Sequence, residues 1–458
     1  MNNAKDIFSD LPAANRNGKS KGIFLDLLSA NRNGQAKGVY SVCSAHPDVL
    51  EACCKQAIAD KSMLLIESTS NQVDQFGGYT GMKPSDFVRY VYSIADKTGL
   101  PQNMILLGGD HLGPNPWKNL PAEKAMDYAK TLIRDYVLEG YEKIHLDTSM
   151  FCTDDTGDRL KPLDDEIVAA RAASLCKIAE ETYTKYRGGS SGPVYIIGTE
   201  VPVPGGAQET GNEVIPTKPG DLEKTIFITR QHFLQAGFTD AWERVVGVVV
   251  QPGVEFGDDW VFGYQREKSK DLSNKIMQFD RFVYEAHSTD YQSESALKHL
   301  VEDHFCILKV GPWLTFAYRE ALFALESIEI EIMGKERHDL SRLRDTLEKV
   351  MLENPTYWKK YYHGNPDQQA FKRKYSFSDR SRYYWPVAAI EWSRQKLFEN
   401  LRKNKIPLSL LSQWMPVQFR QVCEGLIPVE PLQLVHSYIQ VVTGIYARAS
   451  GNQLKIKN

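Results

Sequence analysis

The chain lacks most of the features that reveal a function from composition alone. No apolar run approaches the roughly 20 residues a membrane helix needs, and residues 1–18 have no apolar core of a secretory signal. Positive and negative charges nearly cancel, at −3 with a pI near 6.4. That removes the basic excess expected of a nucleic-acid binder or of a protein held on an anionic membrane surface. Cysteine is scarce and unpatterned: seven residues, an odd number, with no CxxC spacing. A disulfide frame is therefore not expected, and the thiols are predicted to be reduced in a cytoplasm. There is no GxxxxGK[ST] phosphate loop and no glycine-rich nucleotide turn after the first strand.

What remains is an ordinary globular composition, 42% hydrophobic and 25% charged, on a chain of 458 residues. That length suggests one large domain with additions. Residues 11–24 (LPAANRNGKSKGIF) and 27–40 (LLSANRNGQAKGVY) are near copies. They read as a duplicated leader over 1–36, the first copy loose or weakly helical and only the second leading into a strand.

From Gly38 onward, short apolar strands alternate with helices eight times. The strands are predicted at 39–44, 63–66, 104–107, 143–146, 194–197, 245–250, 281–284 and 307–310. Fully apolar strands covered by helices mean a parallel sheet buried on both faces. Eight repeats in about 295 residues is the size of a (β/α)8 barrel, placed at 37–333. After about Gly334 the pattern becomes helical without strands, with aromatic and basic stretches at 357–362 and 375–385. We read 334–458 as a helical extension, covering either the barrel mouth or a partner surface.

In such a barrel, ligands bind at the C-terminal ends of the strands. Every predicted strand ends in a polar cluster: His46, Glu67, Asp110-His111, Asp147, Glu200, Gln251, Glu285 with His287, and Lys309. Two histidines with a carboxylate suit zinc or a similar divalent metal, with manganese, nickel or cobalt as alternatives. The expected ligands are His111, Glu200 and His287, with Asp147 and Glu285 in reserve. Asp110, beside a ligand, is the first choice for proton transfer; Asp147 and Glu67 are further catalytic candidates. His46, Asn71, Gln251, Glu285, Ser288, Lys309, Gly311 and Thr315 are expected to contact substrate. The stretch from Gly311 to Thr315, at the start of helix eight, is either a phosphate cradle or plain turn chemistry. His145 shares the Asp147 face one layer deeper and is expected to pack. This set suits metal-assisted chemistry beside a ketose carbonyl.

Several long strings carry a resemblance: YSVCSAHP (40–47), IESTSNQVDQFGGYTGM (66–82), GGDHLGPN (108–115), KIHLDTSM (143–150), IGTEVPVPGG (197–206) and VVQPGVEF (249–256). VYEAHSTDYQ (283–292), LKVGPWLTFAYREALFAL (308–325), YWKKYY (357–362) and SDRSRYYWP (378–386) continue it. The chain resembles the class II tagatose-1,6-bisphosphate aldolase accessory-subunit family, long labelled tagatose 6-phosphate kinases. The resemblance implies a barrel of the zinc-dependent class II aldolase type, with Asp110 matching the proton-transfer acid and His111 and His287 matching metal ligands. A further histidine implied after strand five is absent, and Glu200 stands nearby as a substitute. It also implies a catalytic class II aldolase chain as partner, in galactitol or N-acetylgalactosamine breakdown. Some relatives act alone as ketohexose 4-epimerases, so the substrate is expected to be a ketohexose or its phosphate. Self-association is compatible with either role.

Overall fold

The computed structural model describes residues 19–188, 192–198 and 214–451. Eight parallel strands close into a barrel: β1 (Val39–Val42), β2 (Leu64–Thr69), β3 (Ile105–Leu112), β4 (Lys143–Leu146), β5 (Val194–Ile197), β6 (Val245–Val250), β7 (Val283–Ala286) and β8 (Ile307–Val310). β1 pairs with β8 through Val39–Ile307 to Val42–Val310, which seals the cylinder. The (β/α)8 architecture read from the alternation is the one observed, with helices such as Pro47–Asp60, Ala122–Leu138 and Pro312–Met333 forming the outer layer.

Strand alternation divides each strand between two cores. Tyr40, Val42, Leu64, Ile66, Ile144 and Leu308 face the helices. Val39, Leu65, Leu106, Val194, Val283 and Ile307 face inward and form a dry lower layer. The same parity carries on upward into Glu67, Asp110, Lys143, His145, Glu285 and Lys309, so the interior changes from apolar to charged along the barrel axis.

Strand three differs from the expectation that it stops at the glycines. It runs eight residues, through Asp110 and His111 to Leu112. Its pairing with β4 shifts between Gly109 and Leu112, and His111 has a left-handed backbone, φ 49°. The glycines are there for space: a Cβ on Gly108 would lie 2.6 Å from Glu67 Oε1, and one on Gly113 would collide with the Asp147 carbonyl.

The leader has a definite place where it is described. Helix Lys19–Arg32 straddles the two sequence copies. Phe24, Leu27 and Leu28 enter the lower barrel core and close its N-terminal end. Asn31 Nδ2 donates to Val301 O (3.2 Å) and Arg32 Nη2 to Ile276 O (3.0 Å), fixing the helix to the rim. Most of the first copy, residues 11–18, lies outside the described residues.

The C-terminal extension wraps the β8–β1 side. Helix Pro431–Ala449 packs on Pro47–Asp60, Glu294–Glu302 and Pro312–Met333. Residues 376–385 reach over the C-terminal mouth: Tyr291 Oη donates to Phe377 O (2.7 Å), and Thr315 Oγ1 donates to Asp379 Oδ2 (2.6 Å). This segment thus lies over the mouth of the barrel.

Phe24 is 1% exposed, so Phe24→Ala should lower the unfolding free energy by about 3 kcal/mol. Urea denaturation measures this. A loss below about 1 kcal/mol would show that the helix is not part of the barrel's cooperative unit.

Candidate active site

The floor of the mouth is a layer of buried ion pairs. Lys143, fully buried, reaches Glu67 on one side and Glu285 Oε2 (2.7 Å) on the other. Lys309 contacts Glu67, Asp110 Oδ2 (3.1 Å) and, more distantly, Glu285 Oε1 (3.9 Å). Ions can leave water only where opposite charges meet closely, and β2, β4, β7 and β8 supply them alternately. Burial, partly offset by the neighbouring Cys43 thiol, brings the Lys309 ammonium down to about 8. The three carboxylates within 4 Å favour its charged form, and on that geometry we read it as charged.

The histidines sit on this floor. His287 Nε2 lies 3.0 Å from Glu285 Oε1. His145 Nε2 is 3.0 Å from the Gly198 carbonyl, which fixes a proton there; Nδ1 then lies 3.0 Å from Asp110 Oδ1. Nδ1 also accepts from the His111 backbone N–H (3.2 Å), and its close approach to the Asp110 carboxylate calls for a shared proton or a cation. One donor atom each from Asp110, His145, Glu285 and His287 lie within 4.8 Å of one another, and all four residues are buried. Two imidazoles with two carboxylates are a donor set that fits zinc or a similar divalent ion.

His111 stands beside this group, its ring centroid 4.9 Å from that of His287. Its Nδ1 is 2.7 Å from Asp147 Oδ2, and Asp147 Oδ1 accepts from Ser149 Oγ at 2.8 Å. Burial opposes charge on His111, but Asp110 and Asp147 outweigh it and raise its pKa to about 9. Burial likewise opposes ionisation of Asp110 and Asp147, and the facing histidines hold both well below the usual carboxylate range. For His287, burial prevails over Glu285 and lowers the pKa.

Above the floor opens a cavity of about 490 Å³, the size of a small-molecule site. Of the residues anticipated from sequence, His46, Asn71, Asp110, His111, His287, Ser288, Lys309, Gly311 and Thr315 line it. Glu67, Glu285 and Asp147 lie beneath, fully buried. Gln251 turns into its own loop, where Oε1 accepts from the amides of Gly253 (2.8 Å) and Val254 (3.1 Å). Glu200 lies outside the described residues. Thr315 is committed to Asp379, and the amides at the start of helix Pro312–Met333 are taken by Asp290, whose Oδ1 accepts from Gly311 N (3.0 Å) and Trp313 N (2.8 Å).

Sequence reasoning passed over Lys143, treated His145 as packing, and had no signal for the mouth residues from the extension, Arg382, Tyr383 and Trp385. Parity held the clue for the first two: 143, 145 and 147 share one strand face. Nothing in the order of residues placed the extension over the barrel.

Eight parallel strands closed around a charged, concave site at their C-terminal ends define a (β/α)8 barrel protein. The chain belongs to the D-tagatose-1,6-bisphosphate aldolase subunit GatZ/KbaZ-like family, whose model matches residues 24–451. A Sinorhizobium meliloti 1021 protein described as a probable tagatose 6 phosphate kinase is 43% identical, with a TM-score of 0.82, covering 90% of this chain and 100% of its own. Fructuronate-tagaturonate epimerase UxaE from Cohnella laeviribosi is 12% identical (TM-score 0.48), covering 91% of this chain and 81% of its own. Fructose-bisphosphate aldolase from Campylobacter jejuni is 13% identical (0.41), covering 85% and 95%. Likeness at those last two levels carries no argument about chemistry. No described helix is long and apolar enough to cross a membrane.

Two outcomes follow from the floor. Lys143→Met leaves Glu67 and Glu285 buried with only Lys309 between them and should cost about 3–5 kcal/mol of stability; a neutral result in denaturant titration contradicts the ion-pair layer. His111 has a folded-state pKa of about 9, above its ordinary 6.5. Its charge therefore stabilises the fold fully below about pH 6.5, and that contribution fades as pH rises through 9. The stability gap between wild type and His111→Asn should shrink over that window, measured by melting at a series of pH values. A gap that stays constant rules out the protonated pair.

Proposed function

We propose that the chain works as a subunit of class II tagatose-1,6-bisphosphate aldolase, supporting a separate catalytic chain that yields glycerone phosphate and glyceraldehyde 3-phosphate in galactitol or N-acetylgalactosamine breakdown in the cytoplasm. Its own cavity takes a ketohexose or ketohexose phosphate. The observation that carries this is the four-residue donor group at the floor of a 490 Å³ cavity, in a chain of this aldolase-subunit family.

Asp110, His145, Glu285 and His287 would hold a divalent metal, zinc first, with manganese, nickel or cobalt as alternatives. Such an ion supplies Lewis acidity that polarises a ketose carbonyl. Relative to the set expected from sequence, this group adds His145 and Glu285 to His287, while His111, bound to Asp147 through Nδ1, lines the cavity beside it. The chain's own groups divide the proton chemistry. When Asp110 serves as the base next to the carbonyl carbon, His145, Glu285 and His287 hold the ion. His111, kept charged by Asp110 and Asp147 and facing the cavity, donates to a sugar oxygen. Lys309, 3.1 Å from Asp110, holds the carboxylate in place and balances its charge. The aromatic walls from the extension exclude water.

The completeness of this floor favours a second reading, a self-sufficient metal-dependent ketohexose 4-epimerase. Keeping five floor charges out of water is costly, and a scaffold that only supports a partner has no use for them. Inversion at C4 and cleavage between C3 and C4 share an enediolate route, so one site serves either.

Metal analysis of the purified chain, with fructose–tagatose conversion assayed with and without chelator, separates the readings. Chelator-sensitive turnover by the chain alone establishes the epimerase. Absence of turnover, with a severalfold rise in activity or yield of a co-expressed class II aldolase chain, establishes the subunit. Neither effect, with no bound metal, rejects both. His287→Ala is expected to lose metal, and retention of full metal content would remove it from the ligand set.

A further inference from the structure

Breaking the bond between C3 and C4 of a ketohexose requires a group that takes the proton of the C4 hydroxyl and can return it. In the reading above, Asp110 and His111 serve the carbonyl end of the sugar. The C4 end needs a proton carrier of its own, and most titratable groups on the cavity walls are committed. Glu391 grips Arg394 through two hydrogen bonds (2.8 and 2.7 Å). Asp290 accepts from the amides of Gly311 and Trp313. Tyr90 donates to the Ala45 carbonyl (3.1 Å), and burial keeps His46 neutral.

Tyr383 is different. It lines the cavity and is delivered by the extension, in the short turn Arg380–Tyr383. Two rings hold it in place. It stacks on Tyr357, with centroids 4.8 Å apart and planes 11° apart, and Tyr79 meets it edge-on at 4.7 Å. Its Oη accepts a hydrogen bond from Arg382 Nη2 (3.1 Å). Among the described residues, its own proton has no acceptor, so the hydroxyl is free to exchange that proton with a ligand.

The charges around it suit that exchange. Two guanidiniums face the phenol from its own turn: Arg382 through the hydrogen bond, and Arg380 with its central carbon 5.9 Å from the ring centroid. Burial opposes a phenolate, but these cations outweigh it and bring the pKa below the ordinary 10. Tyr79, on the loop after β2, goes the other way, raised by burial and by Tyr383 beside it. Paired groups pushed apart in this manner divide into one that titrates and one that does not. The carboxylates of Asp379 and Asp290 also act on Arg382. They help to keep the guanidinium charged, and it is held in place by the carbonyls of Ser378 and Asp379, to which its Nη1 donates.

We propose that Tyr383 is the acid–base residue for the C4 hydroxyl of a ketohexose held in this cavity, oriented by Arg382 and by the rings of Tyr357 and Tyr79. This rests on the second reading above and gives it a residue. As phenolate, Tyr383 takes the C4 hydroxyl proton. The C3–C4 bond breaks, its electron pair passes to the C2 carbonyl as an enediolate, and C4 becomes an aldehyde carbon. When the bond re-forms on the other face of that aldehyde, the C4 oxygen recovers its proton from Tyr383. Nothing is oxidised or reduced overall. The barrel then serves the carbonyl end of the sugar and the extension the C4 end.

Tyr383→Phe tests this, because the ring contacts remain and only the hydroxyl is lost; an unchanged melting curve guards the fold. Fructose–tagatose conversion by the full chain should fall at least about 100-fold in kcat, with KM within about threefold. The wild-type pH profile should carry an ionisation below 10 that the variant lacks. Ultraviolet titration of the tyrosinate band needs neither metal nor turnover. It should show a phenol ionising below 10 that is absent from Tyr383→Phe and moved up in Arg382→Gln. A smaller loss of turnover, a loss carried by KM, or a titration in which Tyr383→Phe removes no such phenol overturns the proposal while the epimerase reading stands. No conversion by the wild-type chain overturns both, and the co-expressed aldolase chain then decides the subunit reading.

Discussion

The ammonium of Lys143, held between Glu67 and Glu285 inside the barrel, is the contact on which the rest of the site depends. A barrel interior must be filled, and this one is filled with hydrocarbon below and with charge above. Charges at that depth persist only while each faces an opposite partner. Glu67 therefore lies between two lysines, Lys309 among carboxylates, and Asp110 between Lys309 and His145. Gly108 is part of the same constraint, because any side chain there would occupy the space of the Glu67 carboxylate. The floor in turn orients the histidines above it, so the donor group is assembled from below.

The cavity owes its walls to a different part of the chain. The turn around residues 376–385 is tied to the barrel loops by Asp258, Tyr291 and Thr315. The helices of the extension meet helix Pro47–Asp60 through a polar seam, Asp48 with Arg394 and His436. This seam reaches the cavity through His46, whose ring packs on Tyr318 with centroids 4.1 Å apart and whose pKa burial lowers to about 4. Barrel and extension thus line one cavity, with carboxylates and histidines from the strand ends and Arg382, Tyr383 and Trp385 from the extension.

Much of the barrel could be read directly, because eight apolar strands at regular spacing allow few packings. Strand bounds were less legible. Strand three is expected to end at Leu107, since glycines usually mark a stop, yet here they make room and the strand continues to Leu112. The polar strand ends were legible as a group, and nine of the anticipated residues line one cavity. Individual assignments were harder. Gln251 has the right position but spends its oxygen on its own turn, and His145, expected to pack one layer deeper, has both ring nitrogens in the hydrogen-bond network.

By itself, then, the sequence determined the alternation, the strand parity and the residue types presented at the barrel mouth, because these follow from local periodicity and from which side chains tolerate burial. Tertiary structure alone decided which of these groups meet. Asp290 caps helix Pro312–Met333, His111 pairs with Asp147 through Nδ1, and Arg382 arrives from some 70 residues beyond β8. Such meetings depend on distances across the barrel and on how the extension folds back. No local pattern encodes them, because they appear only when the eight strands have closed and the charges inside have found their partners.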